Sequence, residues 1–501
     1  MTLLQRPGGP AGSRAWSRHA GAAAALIIAL AVALRVIHLD RLSLWNDELF
    51  SRYYAELFGL GFLWGEGLRR EPNPPLYYTL LHVWIGVFGD SATALRAPSV
   101  LAGCAALPIV HALGREFGDA RRGLLGMLLF ALSPMAIYFS QEARVYAFLL
   151  LPAGGVLLAI AHLLRDPRKH GWLWGYGLAA LVGIYSHPTF PILLIACNLA
   201  VPALLLAGHG LSAGRGILLG WFGANSLVAV AGLPVALALA GGDAAGALDW
   251  VAPLRLRDIA VALSGLVSGV VTDPRFPGTP LAVALLLALA AGLWVDRPGR
   301  REFGVLVLIP ALFLGLVIAA SLARPILLPR VLCWLTIPLC VLLARGLLAA
   351  TPVRPLLGGV TAVTFAVGLG WQLGFADDAK EPWRDVLGGL RTELGRADLV
   401  VLGPSMDPVI LRYYAPGLRG VRIWDNGSPR TIENTLVAQR LGVAPIDGDA
   451  LLRRIRDGKS VWLIANYVDQ PSLPGLLAQA RPRLRIDRGC GRYTCVTVLA
   501  W

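Results

Sequence analysis

The chain has 501 residues, 56% of them hydrophobic and only 15% charged, with a mean hydropathy of +0.62. This balance excludes an ordinary soluble enzyme and describes a protein that crosses a membrane many times. The formal charge of +14, from 45 Lys and Arg against 31 Asp and Glu, would elsewhere point to nucleic acid. Here much of the surplus falls in short loops between apolar runs, where it orients the chain in the bilayer, so nucleic acid is not an expected partner.

Arg6, Arg14 and Arg18 precede the apolar run from Ala20 to Leu34, a pattern shared by signal peptides and first transmembrane helices. No small-residue cleavage site follows and many further spans do, which favours the helix. A window of about 20 residues gives about eleven spans. They lie near 20–38, 92–114, 122–140, 144–164, 171–187, 189–207, 216–240, 279–295, 303–322, 331–350 and 355–375. With the N-terminus inside, the loops holding Arg115, Arg121 and Arg122, then Arg165, Arg168 and Lys169, then Arg297, Arg300 and Arg301 all fall on the cytoplasmic side, as the positive-inside rule requires.

The first outer loop, 39–91, carries the stretch around which the chain is organised. It reads Leu-Trp-Asn-Asp-Glu at 44–48, then places Leu49, Phe50, Tyr53, Tyr54, Leu57 and Phe58 at helical spacing. That spacing predicts an interfacial helix with its apolar side toward the membrane and Asp47 and Glu48 at its start. Carboxylates at a helix start satisfy its dipole, and an ionised side chain beside a bilayer also tends to have a task. Asp47 is the candidate general base toward an acceptor hydroxyl, and Glu48 a positioning or metal-contacting neighbour. Downstream, Glu71-Pro-Asn-Pro-Pro-Leu76 opens an aromatic helix, a rigid interfacial anchor that could also turn Glu71 and Asn73 toward the same cavity.

The connection after the third span holds Tyr138, Gln141, Glu142 and Arg144, unusually polar for so short a turn. One reading is an internal ion pair. The other has Arg144 meeting a phosphate, whose oxygens match a guanidinium fork, with Glu142 orienting it or binding a metal. Arg324 and Arg330 bracket Pro325–Pro329 at the mouth of the tenth span, either as snorkelling side chains or as part of one anion site with Arg144. His187, in Tyr-Ser-His-Pro, is an interfacial histidine or a metal or phosphate contact. A transporter would more often carry ionisable groups at the midplane on broken helices in repeated halves, and no such repeat is visible.

After Trp371 the composition becomes that of a soluble protein. A helix over 382–394, a strand at 398–402, a helix near 408–414 and a strand at 460–465 predict a small α/β domain over 376–501 on the outer side, following a membrane domain over 1–375. Segments at 483–486 and 493–499 predict a closing hairpin whose turn is flanked by Cys490 and Cys495, a disulfide pair in an oxidising compartment or two free thiols. No nucleotide-binding fingerprint or His-Glu-x-x-His pair is present.

Taken in order, Leu-Trp-Asn-Asp-Glu, Asn-Pro-Pro-Leu-Tyr-Tyr-Thr-Leu-Leu-His, Ala94-Leu-Arg-Ala-Pro-Ser99, Tyr138-Phe-Ser-Gln-Glu-Ala-Arg-Val-Tyr146 and Tyr185-Ser-His187 resemble the family 39 glycosyltransferases of the GT-C fold. That group includes protein mannosyltransferases, the aminoarabinose transferases of lipopolysaccharide lipid A and galacturonosyltransferase-like enzymes. The resemblance is strongest over 40–210, and Glu381-Pro-Trp-Arg-Asp-Val and Leu411-Arg-Tyr-Tyr-Ala-Pro-Gly look like the outer part of bacterial members. It implies an α-helical GT-C protein of the cytoplasmic (inner) membrane and an inverting transfer from a polyprenyl-phosphate sugar to an envelope lipid, glycan or protein. Asp47 would serve as base, with Glu48 its acidic neighbour. Arg144 and Arg330 would hold donor phosphate, joined by Arg324, and Asn73, Gln141 and Tyr138 would line the cavity. A divalent ion held by Glu71 or Glu142 with His187 is a further implication. Asn73 stands where lipid A transferases carry a basic residue, so that phosphate contact is not expected here. The alternative class is a lipid-phosphosugar transporter or flippase that uses the arginines for binding alone.

Overall fold

The computed structural model describes residues 10–241, 253–269, 278–374, 380–393, 398–404, 406–418, 420–425, 432–466, 469–488 and 495–501. Among these, nine helices are long and apolar enough to cross a membrane. A bent pair, Ala120–Leu132 and Pro134–Ser140, angled at 58°, makes a tenth when its two helices are counted as one span. The remaining expected span, 171–187, is the 14-residue helix Gly171–Ile184, which at 1.5 Å per residue reaches only about 21 Å. The spans expected at 189–207 and 216–240 lie within one helical run, Phe190–Gly241. They pack side by side, since Asn198 accepts from Trp221 Nε1 at 3.0 Å and donates to Asn225 Oδ1 at 2.8 Å.

The bend at Pro134 has a specific cause and a specific repair. Proline has no N–H, so the Phe130 carbonyl loses its partner one turn on and accepts instead from Ser133 N at 3.2 Å. Arg35, fully buried in the first span, covers the exposed carbonyls. It donates to Ala131 O at 3.2 Å and Phe130 O at 3.4 Å, and to Ser140 Oγ at 3.2 Å on the far side of the bend. Gly103 makes room, because a Cβ there would collide with Ser140 Oγ. Arg35→Met should therefore cost about 1–3 kcal/mol through the lost hydrogen bonds to Ala131 O, Phe130 O and Ser140 Oγ, read as a lower thermal midpoint of the purified protein in detergent. An unchanged midpoint would show that the bend holds without it.

The first-loop helix is Asn46–Leu57. Its apolar stripe does not lie on the membrane as the pattern suggested. Leu49, Tyr53 and Tyr54 are buried in protein, against the helices Leu76–Phe88 and Val409–Tyr414. The exposed apolar surface belongs instead to Leu76–Phe88, where Leu80, Val83, Val87 and Phe88 are exposed. Periodicity identifies an apolar face but not the partner that covers it.

Residues 399–500 form a six-stranded sheet in the order β3-β2-β1-β4-β6-β5, with β1 Leu399–Leu402, β2 Arg422–Asp425, β3 Ala444–Asp447, β4 Val461–Ala465, β5 Leu484–Arg488 and β6 Val496–Ala500. β1 to β4 are parallel, and their continuous burial in β1 and β4 fits helices on both faces. β5 and β6 close the sheet as the expected antiparallel hairpin. Cys495 is disulfide-bonded, and Cys490 lies outside the described residues. Cys104, Cys197, Cys333 and Cys340 are free thiols in the spans.

The sheet side and the opposite side of the bundle carry different charge clusters. Tyr146–Arg165 runs between them, about 30 Å long. At its far end Glu116 pairs with Arg165 and Arg301, and Glu302 pairs with Arg122 and Arg345. At its near end lies the cluster described next.

Candidate functional site

Asp47 sits in the first turn of Asn46–Leu57 with its side chain 29% exposed. Arg330 Nη1 donates to its Oδ2 at 3.2 Å, and Arg144 Nη2 lies 3.7 Å from the same oxygen. Residues 97 and 283 positions away in sequence thus meet on one carboxylate. Arg144 is fixed from below, donating from Nη1 to Ser51 Oγ at 3.0 Å and to the Asp47 carbonyl at 3.2 Å. Its Nε is buried with no acceptor in the protein. Both guanidiniums lie over the Tyr146 ring, at 5.8 Å for Arg144 and 5.7 Å for Arg330, which favours a cation beside an aromatic face.

Glu48, one residue on, does different work. It is fully buried and accepts from Arg96 through both oxygens at 2.8 Å, from the Ala143 backbone at 2.9 Å and from Lys380 at 3.1 Å. Burial opposes its charge, yet Arg96 and then Lys380 hold the carboxyl down at about 2. Arg96 also donates to the carbonyls of Leu39, Leu42 and Ser43. The pair therefore knots the loop before the helix to the next span and to the 141–145 turn, so that Asp47 and Arg144 are held in register. Glu48 positions; it has no route to a substrate.

Lys380 also reaches Glu142, at 3.5 Å. Burial pushes Glu142 upward against the pull of Lys380, with Glu48 and Asp47 adding to the rise. Burial first, and then the nearby Glu142, push the Tyr138 hydroxyl well above its ordinary range. Glu71 is buried and accepts from Asn73 Nδ2 at 2.7 Å and Tyr78 OH at 2.8 Å, and burial raises its pKa. Asn73 is thus a support for Glu71, and the segment is pinned to the His187 turn by Leu76 N donating to Tyr185 O at 3.1 Å. Gln141 caps the first span, donating to the carbonyls of Arg35 and Ile37. Arg324 is exposed, and the ion pairs of Asp47 are with Arg144 and Arg330 instead.

His187 faces the cluster, with its ring 6.0 Å from that of Tyr146. Burial and then the charges of Arg330 and Arg144 push it down to about 3, so it stays neutral. Its Nδ1 is engaged by Thr189 at 2.8 Å. Among the described residues no three His, Cys, Asp or Glu side chains are gathered for a metal. The carboxylates are interleaved with guanidiniums and Lys380, which already supply the positive charge between Glu48 and Glu142. No step through a metal is derived from this arrangement.

Sequence reasoning assigned no role to Arg96, Ser51, Lys380 or Glu381. A signal existed for Arg96, a charge inside an otherwise apolar helix, Ala92–Ala105. None existed for Lys380, and Glu381 was marked only as the start of the Glu-Pro-Trp-Arg-Asp-Val stretch, in a polar connection whose path only the fold reveals.

A family model described as dolichyl-phosphate-mannose-protein mannosyltransferase matches residues 72–231. No curated protein matches the chain. ArnT from Cupriavidus metallidurans, in structures bound to undecaprenyl phosphate and in the apo state, is similar at a TM-score of 0.54 and 14% identity, over 95% of this chain and 97% of that one. The apo oligosaccharyltransferase of Archaeoglobus fulgidus is similar at a TM-score of 0.50 and 12% identity, over 92% of this chain and 71% of that one. The chain is a multi-pass membrane protein with the GT-C fold, and over residues 72–231 its sequence matches the family model named above.

Proposed function

We propose that the protein is an inverting glycosyltransferase that moves a sugar from a polyprenyl-phosphate-linked donor to a hydroxyl of an envelope acceptor. The observation that carries this reading is the meeting of Asp47 with Arg144 and Arg330 at a partly open site. The acceptor oxygen attacks the anomeric carbon as its proton passes to the Asp47 carboxylate. The bond from that carbon to the phosphate oxygen breaks, and its electron pair leaves with the polyprenyl phosphate. Arg144 and Arg330 offset the charge that builds on the leaving phosphate, and the buried Nε of Arg144 is a donor ready for one of its oxygens. With Glu142 and Glu381 pushed toward their neutral forms, Arg96, Arg144, Arg330 and Lys380 outnumber the ionised Asp47 and Glu48, which suits an anionic ligand.

The positive loops support an orientation with the site and the sheet on the outer face of the cytoplasmic membrane, 1–375 being the membrane domain and 376–501 the outer one. A lipid-linked donor arrives there laterally from the bilayer. The similar ArnT, whose structure was determined bound to undecaprenyl phosphate, supports that donor class. Membranes containing the protein, supplied with undecaprenyl-phosphate-linked sugars, should release undecaprenyl phosphate and glycosylate one envelope species that mass spectrometry finds missing from a deletion strain. Donor crossing the bilayer without release would instead identify a flippase.

A further inference from the structure

The 141–145 turn and the start of the helix Asn46–Leu57 are joined by a side chain from a third place in the chain. Beyond the last span, Arg354–Gly374, a strap leads from Lys380 into the helix Trp383–Glu393 and on to the sheet. It is fastened to the first loop, where Arg384 donates to Asp40 Oδ1 at 2.9 Å from its guanidinium and to Ser43 Oγ at 3.1 Å from its backbone N–H. Trp383, beside it, is fully buried. Lys380, itself only 4% exposed, turns inward from these anchors. Its Nζ lies between two carboxylates, 3.1 Å from Glu48 Oε2 and 3.5 Å from Glu142 Oε1.

Each carboxylate belongs to a segment that builds the phosphate site. Glu48 follows Asp47, and its other oxygen takes the N–H of Ala143 at 2.9 Å. The carbonyl of Glu142 takes the N–H of Arg144 at 2.8 Å. The turn that presents Arg144 is thus held by Glu48 through its backbone and by Lys380 through the Glu142 side chain. Arg144 must stay in that register to keep its contacts with Ser51 Oγ at 3.0 Å and the Asp47 carbonyl at 3.2 Å. A guanidinium displaced by about 1 Å loses much of its match to phosphate oxygens. We propose that Lys380 is a positioning residue for Arg144, through which the strap leading to the sheet sets how tightly the donor phosphate is held; this rests on the reading of Arg144 as a phosphate ligand given above. The outer part of the chain then takes part in donor binding without touching the donor.

The test uses full-length protein in detergent with undecaprenyl phosphate as the probe, and binding isotherms that need no turnover. Lys380→Met, of similar length but uncharged, should weaken binding about tenfold, and Glu142→Met should weaken it by a similar factor, because each cuts the same tie. The double variant should bind no worse than Lys380→Met, the non-additivity of two residues that act as one unit. If Lys380 served only as a positive charge near the phosphate, Glu142→Met would leave binding unchanged or tighten it, and that result overturns the proposal. A merely structural role would lower the thermal midpoints while the isotherms of the folded protein stay at the wild-type position, which overturns it too. Where Lys380→Met does not fold, Glu142→Met decides alone, since it replaces a buried carboxyl by an apolar side chain of similar shape. Arg144→Met separates the two claims. If it binds the lipid as wild type, the phosphate reading fails; if it loses binding while Lys380→Met and Glu142→Met bind as wild type, only the Lys380 inference fails.

Discussion

Replacing Asp47 by Asn should lower transfer about 10²–10⁴-fold, the usual contribution of a positioned base, while retention of undecaprenyl phosphate by the purified protein stays equal or becomes tighter. The direction of the second effect follows from the ion pairs. Asn has nearly the same volume but carries no charge, so Arg144 and Arg330 lose the carboxylate they share and face an incoming phosphate without competition. The variant thus separates kcat from donor affinity, which a general loss of structure would not do. Steady-state release of undecaprenyl phosphate, set beside a binding isotherm for the same lipid, measures both. Unimpaired release would remove Asp47 as base, and weakened binding would show that the carboxylate organises the arginines rather than competing with phosphate.

The largest expected stability effect lies one residue away. Arg96→Met should destabilise the protein by about 3–5 kcal/mol, because it strips the main partner from a carboxylate that has no access to water. Three backbone carbonyls lose their donor in the same change. Lys380 remains to hold part of the charge, so the loss should be largest in the Arg96→Met, Lys380→Met double variant. Adding Glu48→Gln to Arg96→Met should recover part of the loss, since the cost arises from an orphaned charge more than from a missing attraction. Arg52→Ala is the contrast. Its partners Glu56 and Asp90 are nearly half exposed, and its removal should cost under about 1 kcal/mol. Thermal midpoints in one detergent rank the series, and a Glu48–Arg96 pair no more sensitive than Arg52 would contradict the knot described above.

Acid should act on the same knot. Glu48 is held at about 2, below the ordinary range for a free carboxyl, so its contribution is complete above about 4.5 and is lost as pH falls through about 2.

Much of the architecture was legible in the residues alone. Apolar runs of sufficient length announce spans, because a helix is among the few ways to hide backbone polar groups in lipid, and alternating or short apolar runs marked several strands of the sheet. Departures came where length or partner mattered. Gly171–Ile184 is a shorter helix than the apolar run suggested, and the stripe of Asn46–Leu57 turned out to face protein. Asp47, Arg144 and Arg330 could be picked out because charge beside a membrane is conspicuous against an apolar background.

What the sequence determined by itself, then, is the membrane class, the helical bundle and the short list of charged side chains near one face, all consequences of the expense of polar groups in hydrocarbon. Which charge meets which was decided only by tertiary structure. Asp47 and Glu48 are neighbours of like chemistry, yet one is partly open between two arginines and the other is sealed by Arg96 and Lys380. That division depends on which way two adjacent side chains point from a helix start, and on a strap returning from 332 residues away. No local pattern encodes either.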